Sequence, residues 1–200
     1  RFGRGAAALA ATAVIGSCLM LVTQLAPAVL AGNTLLAHLP WLPAYGLNLS
    51  LRMDGLGLLF ALLICGIGLL VVLYAFYYLS DNDRLGRFYS ILLLFMAAML
   101  GVVLSENILL LLVFWEITSL SSFLLVAYSH GKYEARIGAR MALAVTGGGG
   151  LALLAGLLLL GHIAGSYDLS VILADGAQIR AHALYAPTLI LILLGAFTKS

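Results

Sequence analysis

Charged residues are scarce in this chain of 200 residues, and their scarcity excludes most soluble folds. Only 9% of the residues are Asp, Glu, Lys or Arg, whereas 64% are hydrophobic. A soluble domain does not need so many apolar residues to build one core, and it carries more charge on its surface. The composition therefore predicts an all-α membrane protein that crosses the bilayer several times.

Residues that carry enzyme chemistry are scarce as well. The two cysteines, Cys18 and Cys65, lie in separate apolar runs, so they predict neither a disulfide framework nor a metal site. The sequence contains no nucleophile constellation, phosphate-binding loop or metal motif, and we expect no cofactor. The net charge of +2 comes without a basic patch, which argues against nucleic acid as a partner.

Long apolar runs, by contrast, are abundant and predict about six transmembrane helices in a single membrane domain, residues 1–200. A run of about 20 apolar residues is long enough to cross the hydrocarbon core. The predicted spans are 6–31, 55–79, 88–104, 108–128, 140–162 and a last one that begins near Leu184. The first run is longer than the apolar core of a signal peptide, which favours a retained helix. Because the chain begins with Arg1 and its last run continues to Ser200, we expect a fragment truncated at both ends.

Three segments between the spans are predicted to lie outside the hydrocarbon core. Residues 129–139 form a charged loop and 163–183 a polar loop. Aromatic and proline residues in the first part of 32–53 favour an interfacial loop. Apolar and polar residues then alternate with a period of two, which predicts a short extracytoplasmic strand or hairpin near 45–53. Asp54 follows, where it is predicted to cap the next helix.

The orientation of the spans follows from the distribution of Lys and Arg, which are enriched on the cytoplasmic side of membrane proteins. Alternating spans place seven of these residues on the side of the N-terminus: Arg1, Arg4, Arg84, Arg87, Lys132, Arg136 and Arg140. Only Arg52 and Arg180 fall on the other side. We therefore expect the N-terminus of this chain to be cytoplasmic.

Glu116 is the one acidic residue that falls inside an apolar run. The span 108–128 places it about 12 Å from the nearer end, too deep for a short side chain to reach water. A carboxylate at that depth is expensive, which favours a functional role in moving ions or protons. The alternative is a purely structural contact with a neighbouring helix. The hydroxyls that follow, including Ser119 on the same face, are expected to bond mainly to backbone carbonyls and hold helices together.

Lys199 is the corresponding basic residue, about 15 residues into the last apolar run. A buried lysine on a flexible stem is a good proton carrier, and a nearby acid would help to hold its charge. The alternative is that Lys199 reaches toward the far membrane surface. Gly195 and Thr198 instead suggest a helix that packs closely or breaks at this point, as helices that line ion sites do. The glycine run 147–150 similarly indicates either close helix packing or a local break.

Three motifs carry a family resemblance, which covers roughly residues 47–200. Met53-Asp-Gly-Leu56, Phe114-Trp-Glu116 followed by Ser119-Leu-Ser-Ser122, and Gly195-Ala-Phe-Thr-Lys-Ser200 are similar to motifs of the antiporter-like subunits of respiratory complex I and their relatives. Within these, the chain most resembles the large A subunit of multisubunit Mrp-type antiporters. Complex I subunits often carry Arg and Asp near the position of the 147–150 glycines, and their absence here fits the Mrp-type branch.

The resemblance implies a fold of two inverted helical repeats, of which this chain would contain part of the first. It also implies that Glu116 and Lys199 are proton-translocating residues. The leading hypothesis is a membrane subunit of a sodium/proton or potassium/proton antiporter in the bacterial inner membrane, with other membrane subunits as partners. The alternatives are a proton-pumping subunit of a redox-driven NADH dehydrogenase or hydrogenase complex, and a membrane scaffold with inert buried charges.

Overall fold

Eight helices and one β-hairpin make up the computed structural model, which describes residues 4–79, 85–128 and 133–199. The helices are α1 (Arg4–Leu30), α2 (Gly55–Tyr78), α3 (Leu85–Leu104), α4 (Ile108–Val126), α5 (Tyr133–Ala164), α6 (Leu169–Ala174), α7 (Gly176–Ala181) and α8 (Tyr185–Phe197). The strands are β1 (Leu35–Leu42) and β2 (Leu47–Met53), joined by a short 3₁₀ turn, Pro43–Tyr45.

Helices α1 to α5 are each long and apolar enough to cross a membrane, so the prediction of a helical membrane protein is confirmed. The sixth predicted span corresponds to α8, which is apolar but has only 13 residues. Five helices of spanning length, rather than six, are therefore present in the described part of the chain.

Two predicted loops contain more helix than expected. Helix α5 begins at Tyr133, inside the predicted loop 129–139, because the Ala, Glu and Arg residues there are good helix formers and a helix can extend beyond the bilayer. Lys132 lies outside the described residues. The predicted loop 163–183 contains α6 and α7, whose buried Ile172 and Ile179 pack on the neighbouring helices α4 and α5. Helix α5 also continues without interruption through the glycine run, so no break occurs there.

The predicted strand near 45–53 is confirmed as β2, and it pairs with β1 in an antiparallel hairpin. The register runs from Leu35 opposite Met53 to Leu42 opposite Leu47, with an irregularity between Leu39 and Leu42. The predicted loop over the first part of 32–53 is wrong for Leu35–Leu42, which form β1, whereas Pro43–Tyr45 form the turn between the strands. Pro40 is compatible with a strand in this two-stranded sheet, since an edge position does not require its missing N–H.

A buried polar cluster joins the hairpin to two helix connections at one end of the protein. The Glu106 backbone N–H donates to the carbonyl of Ser50 on β2, at 2.9 Å. The Glu106 side chain, 7% exposed, accepts from the Ser170 N–H at 2.9 Å and lies 3.6 Å from the Arg52 guanidinium. The loops before α2, before α4 and before α6 therefore meet on one side, as the alternation of spans requires.

Asp54 caps α2 as the sequence predicts. Its carboxylate accepts a hydrogen bond from the Gly57 N–H at 2.9 Å and lies 3.2 Å from Arg52 Nε. The Gly57 bond, followed by the partner Arg52, holds the pKa of the Asp54 carboxyl below its ordinary value of 3.8. The cap fixes where α2 begins, directly after β2.

Helices α1, α2 and α3 form one packed group, and α4, α5 and α8 form the other. The first group surrounds small buried residues such as Ala11 and Cys65. The two groups meet where α3 crosses α4, and there Phe114 lies directly against Gly101, a position with no room for a side chain. The second group contains both charged residues that the sequence analysis selected.

Candidate site of proton transfer

Helix α4 provides most of the polar surface of the candidate site. Asn107 fixes its start, because the side-chain oxygen accepts hydrogen bonds from the N–H groups of Leu109 and Leu110. Two turns later the helix presents Trp115, Glu116, Thr118 and Ser119. Thr118 and Ser119 are buried, so their hydroxyls face protein rather than lipid.

Lys199 brings the end of α8 onto this part of α4. Helix α8 ends at Phe197, and the Lys199 ammonium donates to the Trp115 carbonyl at 2.8 Å and to the Ser119 hydroxyl at 2.9 Å. It also donates to the Thr118 hydroxyl and lies 4.6 Å from the centre of the Trp115 ring. The side chain is half-buried and points at α4. Lys199 therefore does not reach toward the far membrane surface.

Glu116 lies near this lysine in the fold, although 83 positions separate the two in the sequence. Its charge acts on Lys199 electrostatically, while no ion pair within 4 Å joins the two among the residues that the structure describes. The Glu116 side chain is exposed at the surface of this chain, which corrects the expectation of a buried carboxylate. The described helices leave that face of α4 uncovered, except where α5 touches the carboxylate.

The glycine run of α5 makes this contact possible. A side chain at Gly150 would collide with the Glu116 carboxylate, and one at Gly149 would collide with the Thr198 side chain. Gly195 on α8 similarly approaches the backbone of α5, and a Cβ there would lie 2.8 Å from the Gly149 carbonyl oxygen. Of the two interpretations of the run, close packing is confirmed. The other two glycines of the run, at 147 and 148, have open space around them and serve no such contact.

The hydroxyls near Glu116 have two kinds of partner. Thr118 and Ser121 donate to the carbonyls of Trp115 and Ile117, both at 2.7 Å, as expected of residues bonded to their own helix. Thr118 and Ser119 in addition accept from Lys199, which the sequence analysis missed. Thr118 does not share a helix face with Glu116, so its contact with Lys199 depends on how α8 packs and could not be predicted from the sequence.

A cavity of about 190 Å³ adjoins Lys199 between α4, α5 and the end of α8. Its polar lining consists of Ser119, Ser122, Thr146, Thr198 and Lys199. The cavity is large enough for several water molecules, and hydroxyls supply the partners that buried water requires. No group of three or more potential metal ligands occurs in residues 4–79, 85–128 and 133–199.

Two sequence families match the chain over consecutive regions. The family described as "NADH-Ubiquinone oxidoreductase (complex I), chain 5 N-terminus" matches residues 41–89. The family described as "NADH:quinone oxidoreductase/Mrp antiporter, TM" matches residues 105–200. The three motifs that carried the resemblance fall within these regions.

Individual proteins show the same relationship. In Rhizobium meliloti, the A/B subunit of a probable K(+)/H(+) antiporter is 51% identical over 197 residues, which are 98% of this chain and 20% of that protein. In Staphylococcus aureus, the A1 subunit of a Na(+)/H(+) antiporter is 48% identical over 171 residues, which are 86% of this chain and 21% of that protein.

Solved structures agree with these sequences. The Mrp complex from Dietzia sp. DQ12-45-1b contains a chain with a TM-score of 0.79 and 32% identity, covering 96% of this chain and 24% of that one. A membrane-bound sulfane sulfur reductase, an archaeal respiratory complex, gives a TM-score of 0.73 over 91% of this chain and 28% of that one. Its 23% identity supports the fold alone.

The chain therefore belongs to the family of antiporter-like membrane subunits shared by NADH:quinone oxidoreductase and the Mrp antiporters. Within that family, the relatives named above place it with the A subunits of sodium/proton and potassium/proton antiporters, which confirms the resemblance drawn from the motifs. The chain spans about one fifth of the length of those relatives.

Proposed function

We propose that this chain is part of a membrane subunit of a monovalent cation/proton antiporter, in which Glu116 and Lys199 transfer protons. The observation that carries the proposal is the position of the Lys199 ammonium, which hydrogen-bonds to the Trp115 carbonyl, one residue before Glu116. The Lys199 ammonium, from the segment just after α8, thus contacts the same stretch of a membrane helix that carries Glu116. Ionisable residues inside membrane spans commonly belong to ion or proton paths.

The chemistry of the pair supports proton transfer. A lysine on a four-carbon stem can move its charge by several ångströms, and a carboxylate nearby can accept or return a proton. The hydroxyl-lined cavity beside Lys199 provides room for water on the side of Thr146. The relatives' names supply the coupled ions, sodium or potassium.

The exposure of Glu116 indicates that further protein covers this face of α4. An exposed carboxylate on an apolar helix is costly in lipid, so we propose that the rest of the same subunit or another subunit of the antiporter complex packs there. The excess of Lys and Arg on the side of the N-terminus supports a cytoplasmic start of this chain, in the inner membrane of a bacterium.

The direct test uses the full-length protein in its complex, in everted membrane vesicles. Glu116→Gln and Lys199→Ala should each abolish dissipation of a pH gradient on addition of Na⁺ or K⁺, while the amount of assembled complex stays unchanged. Thr23→Ala in α1, whose hydroxyl bonds to the Met20 carbonyl of its own helix, is the control for a polar change elsewhere in the membrane. Normal exchange in both site variants would leave only the scaffold hypothesis.

A redox-driven proton pump is the second candidate, because both matching families include NADH:quinone oxidoreductase subunits. The partners of the purified complex separate the two. Subunits that bind nucleotide or quinone, together with proton uptake driven by NADH, would favour the pump. Their absence from a complex that exchanges cations for protons would favour the antiporter.

A further inference from the structure

The three groups that contact the Lys199 ammonium are all hydrogen-bond acceptors toward it. The Trp115 carbonyl has no hydrogen to donate. The Thr118 hydroxyl donates its hydrogen to that carbonyl at 2.7 Å, and the Ser119 hydroxyl donates to the same oxygen at 3.3 Å. Both hydroxyls therefore turn lone pairs, not hydrogens, toward Lys199. The indole ring of Trp115 adds the negative face of its π system.

This arrangement favours a protonated lysine over a neutral one. An ammonium has three donors and no acceptor, so it satisfies all three oxygens. A neutral amine has two hydrogens and one lone pair, so it keeps a third contact only if the Thr118 or Ser119 hydroxyl turns its hydrogen away from the Trp115 carbonyl and donates it to the amine. The cation–π attraction also disappears with the charge. The contacts are therefore more favourable for the protonated lysine than for the neutral one.

We propose that Trp115, Thr118 and Ser119 form a charge-selective seat, which holds Lys199 while it is protonated and releases it when it becomes neutral. The three are positioning residues that act through Lys199, and the inference rests on the proton-transfer role proposed above. When an N–H bond of the ammonium breaks, the nitrogen keeps the electron pair and the proton passes through water to the Glu116 carboxylate, which is not in direct contact with Lys199 and becomes the neutral acid. The neutral amine then leaves the seat, so proton loss and side-chain movement are coupled.

The surroundings of Lys199 provide the space for that movement. The adjoining cavity of about 190 Å³ is bounded on α5 by Ala142, Leu143 and Thr146, none of which titrates. The end of α8 contributes Thr198, which donates its own hydrogen to the Gly195 carbonyl at 2.8 Å. Among the residues that the structure describes, Glu116 on α4 is the charged group that acts on Lys199.

Paired variants of the full-length protein in its complex test the seat. Ser119→Ala removes one acceptor. Ser121→Ala is its matched control, because Ser121 is buried on the same helix but bonds to the Ile117 and Thr118 carbonyls of that helix. Thr118→Val removes a second acceptor at nearly constant volume, and Thr118→Ser restores it. The readout is the pH of half-maximal cation/proton exchange, together with the maximal rate.

We expect Ser119→Ala and Thr118→Val to move the pH profile to lower pH by about one unit, since each removes one bond that favours the charged form. Ser121→Ala and Thr118→Ser should keep the wild-type profile. If Lys199→Ala abolishes exchange but the profile of Ser119→Ala equals that of Ser121→Ala, the seat is wrong and the proposed function stands. If Lys199→Ala exchanges normally, the proposed function itself is wrong. Should Thr118→Val fail to assemble, Ser119→Ala decides.

Discussion

Replacing Gly150 with alanine is expected to displace the Glu116 carboxylate without destabilising α5, the helix that the carboxylate touches. An ideal Cβ at residue 150 would lie 2.9 Å from the Glu116 carboxyl carbon and still closer to one of its oxygens. Ordinary contact between non-bonded atoms requires about 3.5 Å or more, so the nearer carboxylate oxygen must retreat by about 1.5 Å. Because it ends a flexible side chain, it can do so without disturbing α5 itself.

The expected consequence is a loss of activity without a loss of stability. A misplacement of about 1 Å at a reacting group can lower a rate on the order of 100-fold, so we expect proton-coupled exchange to fall by about 10- to 100-fold. The stability of the assembled complex should not fall, since alanine is favoured over glycine in a helix by about 0.5–1 kcal/mol.

Gly148→Ala is the matched control, because a Cβ at that position would meet nothing within 4 Å. It adds the same methyl group to the same helix, gains the same helix propensity and should leave exchange unchanged. Vesicle assays of the pH gradient and melting of the detergent-solubilised complex measure the two effects. Equal exchange rates in Gly150→Ala and Gly148→Ala would show that the contact between Gly150 and Glu116 does not matter for transport.

Two further predictions concern the N-terminal helices. The Cys18 and Cys65 sulfurs lie 3.7 Å apart, so a membrane-permeant copper(II) complex should join them in a disulfide. The two thiols lose two protons and two electrons, and each of two copper(II) ions accepts one electron. Alkylation and mass measurement should then find two fewer thiols, and retention of both thiols would refute the packing of α1 on α2. Asp54→Ala should lower the stability of the protein by about 1 kcal/mol through loss of the α2 cap. Because the pKa of Asp54 lies below 3.8 in the folded protein, that contribution is present above this pH and disappears as the pH falls through the lowered value. The difference in melting temperature between the wild-type protein and Asp54→Ala should therefore vanish in acid. A difference that persists in acid would show that the charge of Asp54 is not what stabilises the cap.

The sequence was sufficient to predict those features of the fold and of the site that depend on residue type alone. Runs of apolar residues have the length that the bilayer demands, so five spanning helices could be placed to within a few residues, apart from the N-terminal start of α5. Glu116 and Lys199 stood out because an ionisable residue inside an apolar run has a clear energetic cost. Their proximity in the fold is consistent with that selection, whereas their role in transport remains a proposal.

Features that depend on contacts between distant segments could not be predicted. Every residue has a backbone carbonyl, so the sequence cannot single out the one of Trp115. Only its hydrogen bond with Lys199 distinguishes it. Glu106 lies in the short connection between α3 and α4, yet the hairpin and the start of α6 cover it almost completely. Glu116, in turn, is less covered than the sequence suggested, because coverage depends on which other helices pack there.

The polar cluster around Glu106 also explains how the site keeps its geometry. Helix α4 begins at Ile108, whose N–H donates to the Tyr167 carbonyl just beyond the end of α5, and Asn107 donates to Asp168 at 3.1 Å. Hydrogen bonds thus join the start of α4 to the segment after α5. This junction lies about 12 Å from Glu116 along the axis of α4, at about 1.5 Å per residue. A rotation of α4 against α5 would separate the Glu116 carboxylate from Gly150 and would also break these bonds. The cluster therefore opposes rotation of α4 against α5, and Lys199, held by oxygen acceptors just after a short helix, is the side chain of the site best placed to move.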